Sequence, residues 1–237
     1  MLKAKKVYIW TTQARPSVSP WRQPWVNTIA YYPLDSTNTV NDLSWNNYTL
    51  TNSWSVAFGE NQWVDCAWFT SWGSSSWSRG LYRTTDTILT PQNSDLTFLV
   101  WLYKWSETMY YNPRIVGRYG SSIFTYASRS KISVWDSTSY WVTPDNWAWF
   151  LFGCAYNFEN KTWAFYKNWV LQNTQTNSTI AGNTNQWIVI GTRDNLGKGY
   201  GDKWSGWMSE LIVENKEWVA QMFLDYFNEN KSKYWLS

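Results

Sequence analysis

Glu210, Glu214 and Glu217 are the carboxylates whose spacing comes nearest to a set that could cleave a glycosidic bond. A strand puts residues i and i+2 on one face, so two carboxylates at that spacing can flank the bond. These three lack it. The chain has no His, which removes serine triads and His-based metal sites in their usual forms. Gly197, Gly199 and Gly201 form a glycine-rich loop without the G-x-x-x-x-G-K-[ST] pattern of a phosphate cradle. The chemistry on offer is binding, and a non-enzyme is expected.

Calcium is the cation these residue types suit, because it takes several oxygen ligands from loops. Asp35, Asp42, Asp194 and Asp202 are the candidate ligands. Asp35 and Asp42 serve equally well as turn-capping residues, since Asp readily bonds backbone N–H groups two or three residues on. Cys66 and Cys154 lie far apart in apolar segments and read as two buried free thiols rather than a disulfide. The formal charge of +3 is scattered, with no basic run beyond Lys3, Lys5 and Lys6; this excludes a nucleic-acid stripe. No apolar run reaches transmembrane length, and no secretory signal is visible at the N-terminus.

The elements that must position these groups are strands. Leu96–Tyr103 and Trp149–Phe158 are almost wholly apolar and too short for average helices, as strands of a sandwich core are. Thr28–Leu34, Tyr48–Phe58, Val64–Thr70, Arg114–Tyr119, Ile123–Ser128, Lys131–Asp136, Trp187–Gly191 and Trp207–Val213 read as further strands. Glu217–Tyr226 is the one convincing helix, expected to run to about residue 229, with Val219, Met222, Phe223 and Tyr226 at helical spacing. Pro16, Pro20 and Pro24 mark residues 1–26 as an extended arm, with one globular domain over 27–237. Trp101 and Trp149 are expected to be buried.

The tryptophan usage is anomalous, with 22 Trp against 12 Gly. Several fall where a turn residue belongs: Trp45, Trp54, Trp63 and Trp169. Asn168-Trp169 joins two strands through two residues, which calls for a type I′ turn and positive φ at both positions. Glycine is the residue suited to that backbone. Such a pattern is expected if UGA codons read as glycine in the source lineage have been rendered as tryptophan, and Trp169→Gly is then expected to stabilise the hairpin.

A series of segments, in order, carries a resemblance to a known family. Ile29–Asp35 and Asn41–Asn47 resemble the "AYYPLDG…NDxSGNGN" opening of laminin-G-like domains, of the concanavalin A-like lectin/glucanase superfamily, with Trp45 on a glycine position. Leu96–Tyr103 resembles its "FTVSFWVK" strand, and Trp149–Tyr156 its "WHHVAVTY". Phe165–Leu171 resembles "FYVNGVL", with Trp169 on a glycine; Ile188–Gly191 resembles "LxIG". Ser205–Val213 is similar to "FSGxIDEVRIY", and the helix from Glu217 to the "LSAEEIxxLY" tail.

The resemblance implies an all-β fold: a two-sheet antiparallel jelly-roll sandwich with one short C-terminal helix. It implies a non-catalytic module for carbohydrate or protein, often with calcium at a sheet rim. The glucanase branch carries E-x-D-x-x-E, which is missing, and Glu210 falls on the acidic position of the non-catalytic "DEV" pattern. Arg118, Tyr126, Trp135, Tyr140 and Trp141 would line a concave face on which a sugar ring stacks; core or sheet-face packing is the alternative. The expected partner is a glycan or host-surface receptor, with no nucleic acid and no membrane insertion. The arm would join a larger assembly, such as a phage virion appendage or, alternatively, a bacterial surface adhesin. A glycan-cleaving enzyme is the reading from another class. A virion or extracellular surface is the expected location.

Overall fold

A computed structural model describes residues 27–53, 56–69, 80–83, 94–105, 115–118, 125–128, 131–134, 142–176, 188–191 and 204–236. The first half holds β1 (Thr28–Tyr32), β2 (Thr51–Ser53), β3 (Ala57–Asn61), β4 (Val64–Phe69), β5 (Gly80–Arg83), β6 (Leu96–Lys104) and β7 (Val116–Arg118). Then come β8 (Thr125–Ser128), β9 (Lys131–Val134), β10 (Trp149–Asn157), β11 (Thr162–Lys167), β12 (Val170–Gln175), β13 (Ile188–Ile190) and β14 (Gly206–Glu214). Helix α1 (Ala220–Asn230) and a 3-10 helix (Lys231–Tyr234) end the chain.

Two antiparallel sheets form a β-sandwich. The larger runs β12-β11-β10-β6-β14-β4-β3, with β1 also paired to β14. The smaller runs β2-β5-β13-β7, and β8-β9 is a separate ribbon. Every residue of β6 is buried, as is β10 up to its last residue. Alternation cannot survive in a strand covered on both faces, which is why both read as continuous apolar runs.

One set of alternate residues packs between the sheets: Phe98, Val100 and Leu102 of β6, and Phe150, Phe152 and Cys154 of β10. The other set, with Leu99, Trp101, Trp149 and Leu151, faces the C-terminal helices. Trp101 stacks on Tyr234 at 3.9 Å between ring centroids and on Phe227 at 5.9 Å. Tyr166 stacks on Phe223 at 4.1 Å. A fully buried large apolar side chain contributes about 1.5–3 kcal/mol, and each such aromatic contact about 0.5–1.5 kcal/mol beyond its area. Trp101 and Trp149 are buried as expected, and Cys66 and Cys154 are buried free thiols.

The helix begins later than its apolar spacing implies, at Ala220, because Val219 is its extended N-cap. Val219 is 56% exposed and does not share the buried stripe of Phe223, Tyr226 and Phe227. A second correction concerns the hairpin between β11 and β12. Lys167 and Val170 pair, as a two-residue loop requires, but only Asn168 has positive φ, at 57°. Positive φ at the first central position alone is the type II′ pattern. Asn tolerates that backbone, and its side-chain oxygen accepts from the Leu151 N–H at 3.0 Å while its own N–H donates to the Leu151 carbonyl at 2.7 Å. Trp169 meets no left-handed penalty, so the stabilisation expected of Trp169→Gly loses its physical basis.

Gly153 is where the helix comes closest to the sheet. A Cβ there would sit 2.3 Å from Phe223 Cε1, and Phe223 is held between Tyr166 and the edge of Trp218. Gly153→Ala is expected to lose about 1–3 kcal/mol by overpacking, read as a lower urea midpoint with an unchanged m-value.

Candidate functional site

Asp42 organises the loop after β1. Its Oδ1 accepts from the N–H groups of Tyr31 and Ser44, each at 2.8 Å. Its Oδ2 accepts from the Ser44 hydroxyl at 2.7 Å and the Tyr48 N–H at 2.7 Å. Four donors occupy the roughly four lone-pair sites of a carboxylate, and Asp42 is only 5% exposed. This is the turn-capping arrangement, and it leaves no oxygen lone pair for a cation. Asp35 accepts on Oδ1 from the N–H groups of Thr37 at 3.0 Å and Asn38 at 2.5 Å, a local turn of the same kind. Asp194 and Asp202 lie outside the described residues. Among the described residues, no three His, Cys, Asp or Glu side chains gather as a metal would require.

Two of the five candidate ligand-contacting residues are described, Arg118 on the smaller sheet and Tyr126 on the ribbon. Arg118 ends β7, the sheet's edge strand, opposite Ile188 of β13. Tyr126 lies on β8 opposite Ser133 of β9, and β8 neighbours β7. Trp135, Tyr140 and Trp141 lie outside the described residues, Trp135 directly after β9.

Glu210 and Glu214 work as structural ties. Glu210 sits at an irregularity between Ser209 and Ile212 where β14 shifts register against β6, with φ at 53°. A bulge of this kind re-aims a side chain, and the Glu210 carboxylate reaches the C-terminal helices. It accepts from the Tyr226 hydroxyl at 2.9 Å and pairs with Lys233 at 2.6 Å. Glu214, 1% exposed, accepts from the Trp218 indole N–H at 2.5 Å and the Thr28 hydroxyl at 3.1 Å. Burial raises the Glu214 pKa, and the bonds from Trp218 and Thr28 oppose that rise. Sequence spacing marks both only as carboxylates on one strand; the partners of Glu210 come from the C-terminal helices that fold back, and those of Glu214 from β1 and the segment before the helix.

Glu214 also borders a cavity of about 400 Å³ with Lys216, Trp218, Asp225, Tyr226 and Glu229. The thiols add no reactivity: burial pushes Cys66 up to about 12 and Cys154 well above its usual value. The nucleophilic thiolate is therefore suppressed at both.

No family model and no curated protein sequence matches the chain. Solved structures do match its fold. The binding domain of botulinum neurotoxin DC, solved in complex with rat synaptotagmin II, is 15% identical at a TM-score of 0.66, covering 86% of this chain and 51% of that one. Domain 4 of AbnA, a GH43 extracellular arabinanase from Geobacillus stearothermophilus, solved in complex with arabinotriose, is 15% identical at a TM-score of 0.63. That match covers 84% of this chain and 97% of the arabinanase domain. The binding domain of Paraclostridial Mosquitocidal Protein 1 is 12% identical at 0.60, over 86% and 52%. The chain spans about half the length of the toxin binding domains and nearly all of the arabinanase domain.

Asp42→Ala strips a buried acceptor from four donors and is expected to cost about 3 kcal/mol or more, read by urea unfolding. Glu214 supplies a pH signature. Its folded pKa lies above the ordinary 4.5, so the fold holds that proton more tightly than the unfolded chain does. Its contribution is absent above the folded pKa and grows as pH falls toward 4.5. The stability difference between wild type and Glu214→Gln is expected to rise over that descent, measured by chemical denaturation at successive pH values.

Proposed function

We propose that the chain is a non-catalytic module that binds a glycan or a receptor surface. One observation carries this: the sandwich covers nearly the whole of an arabinanase domain solved with arabinotriose. Ganglioside and synaptotagmin named with the toxin relatives support the same class of partner. The laminin-G-like motifs, from Ile29–Asp35 to the final strand, support placing it in the concanavalin A-like superfamily. Arg118, Tyr126, Trp135, Tyr140 and Trp141 are the proposed contacts, and calcium, where bound, falls to Asp194 and Asp202 with Asp35.

The proline-bearing arm over 1–26 and the excess of tryptophan at turn positions favour a phage virion appendage over a bacterial adhesin. Tail or portal genes beside its own are expected for the first reading, and a cell-wall sorting context supports the second. Among the described residues, no helix is long and apolar enough to cross a membrane.

On a glycan array the protein is expected to bind saturably, without releasing reducing ends from the bound sugar. Sugar release would move it to the hydrolase class. Arg118→Ala and Tyr126→Ala are each expected to weaken binding about tenfold, the scale of one lost polar or stacking contact at roughly 1.4 kcal/mol. Their melting temperatures are expected to stay at the wild-type value.

A further inference from the structure

Among the described tryptophans, Trp45, Trp105 and Trp169 are exposed without positive φ, and two other groups differ in both burial and backbone. Trp101, Trp149, Trp163, Trp204 and Trp218 are at most 1% exposed, and none has positive φ. Trp63, Trp147 and Trp235 have φ of 66°, 61° and 59° and are 76%, 54% and 69% exposed. Left-handed backbone crowds the Cβ of any L-residue against the following carbonyl oxygen. A buried residue such as Leu34, with φ at 55°, can be held there by packing. An indole more than half exposed gains little packing in return.

Two of the three positions are glycine positions by geometry. Asn61 and Val64 pair across a two-residue loop in which Gln62, at 50°, and Trp63 both have positive φ. That is a type I′ turn, whose second residue is preferentially Gly. Trp235 caps the 3-10 helix at φ 59° and ψ 27°, its N–H donating to the carbonyls of Lys231 and Ser232. Glycine is the usual residue in that left-handed cap. Trp147 likewise has positive φ where the chain bridges from Asn146 to Lys104 before entering β10.

We infer that residues 63, 147 and 235 are glycine in the protein made by its own source, at codons read there as glycine. The inference does not depend on the binding reading, but it decides which aromatics a ligand could meet. Trp147 lies 5.7 Å from Trp105, and the Trp235 indole donates to the Gln62 carbonyl beside Trp63 at 3.0 Å. Gln62 in turn donates to the Tyr103 hydroxyl at 3.3 Å, so these indoles add aromatic surface that glycine would remove. With glycine at three positions that surface shrinks to Trp105 and the Trp68–Trp207 stack, whose rings are 5.4 Å apart.

Two measurements test this. Peptide masses of the protein isolated from its source are expected to show Gly at 63, 147 and 235 and Trp at 101 and 149; Trp at the three turn positions overturns the inference. In the protein as written, Trp63→Gly is expected to raise the melting temperature by about 2–4 °C, the shift for relief of roughly 1 kcal/mol in a chain of this size. The triple variant Trp63→Gly/Trp147→Gly/Trp235→Gly is expected to melt higher still, despite losing the Trp235 hydrogen bond. Trp68→Gly, on extended backbone and stacked, is expected to melt lower. A triple variant that melts at or below wild type overturns the assignment.

Discussion

The structure depends on burying the larger sheet on both faces. A sandwich needs its central strands covered on one side only, and the smaller sheet does that. β6 and β10 carry large apolar residues on the other side as well, so the chain must supply a second cover. It does so with the C-terminal helices, through Phe223, Tyr226, Phe227 and Tyr234. The Trp101–Tyr234 stack is the centre of that contact, and the missing side chain at Gly153 lets Phe223 approach.

Polar ties hold the cover in register where apolar packing alone would let it slide. Thr97 donates to the Lys216 carbonyl at 2.7 Å and accepts from the Trp218 N–H at 2.9 Å. Asn157 donates to Glu217 at 2.6 Å. Glu210 then grips the C-terminal helices from the strand itself, and Glu214 holds Trp218 in the segment that leads into them. These are buried or half-buried bonds, and each costs free energy if one partner is removed. Glu210 adopts left-handed backbone to make its contacts, a conformation that persists only where the surroundings over-determine it.

How legible this was in the sequence follows the same physics. Strands β6 and β10 could be read almost to the residue, because burial on both faces writes a nearly continuous apolar run, and β14 could be read from its apolar residues on either side of Ser209 and Glu210. β5, Gly80–Arg83, could not: four residues after a Ser-rich stretch offer no periodicity to detect. The helix was visible but its start was not, since Val219 matches the apolar spacing while facing solvent. The turn at Asn168 was misread because a two-residue loop admits I′ or II′, and the bond to Leu151 that accompanies II′ is tertiary. Asp42 was visible as a turn carboxylate, but whether its lone pairs were spent depended on where Tyr31 and Tyr48 came to lie.

That second cover also constrains where a ligand can bind. The outer face of the larger sheet is occupied by helix along β6, β10 and β11, so the middle of that face cannot serve as an open platform. Among the described residues, other surfaces include the strand ends near Trp68 and Trp207, the cavity beside Glu214, and the smaller sheet with its β8-β9 ribbon. The first loses much of its aromatic character once the left-handed positions carry glycine. The second presents carboxylates, with Glu214 already bonded to Trp218 and Thr28. The smaller sheet carries Arg118 at its edge and is the face not spent on the helical cover. The burial requirement that fixes the fold is therefore consistent with the contacts proposed at Arg118 and Tyr126, which belong to the smaller sheet and the ribbon rather than to the helix-covered sheet.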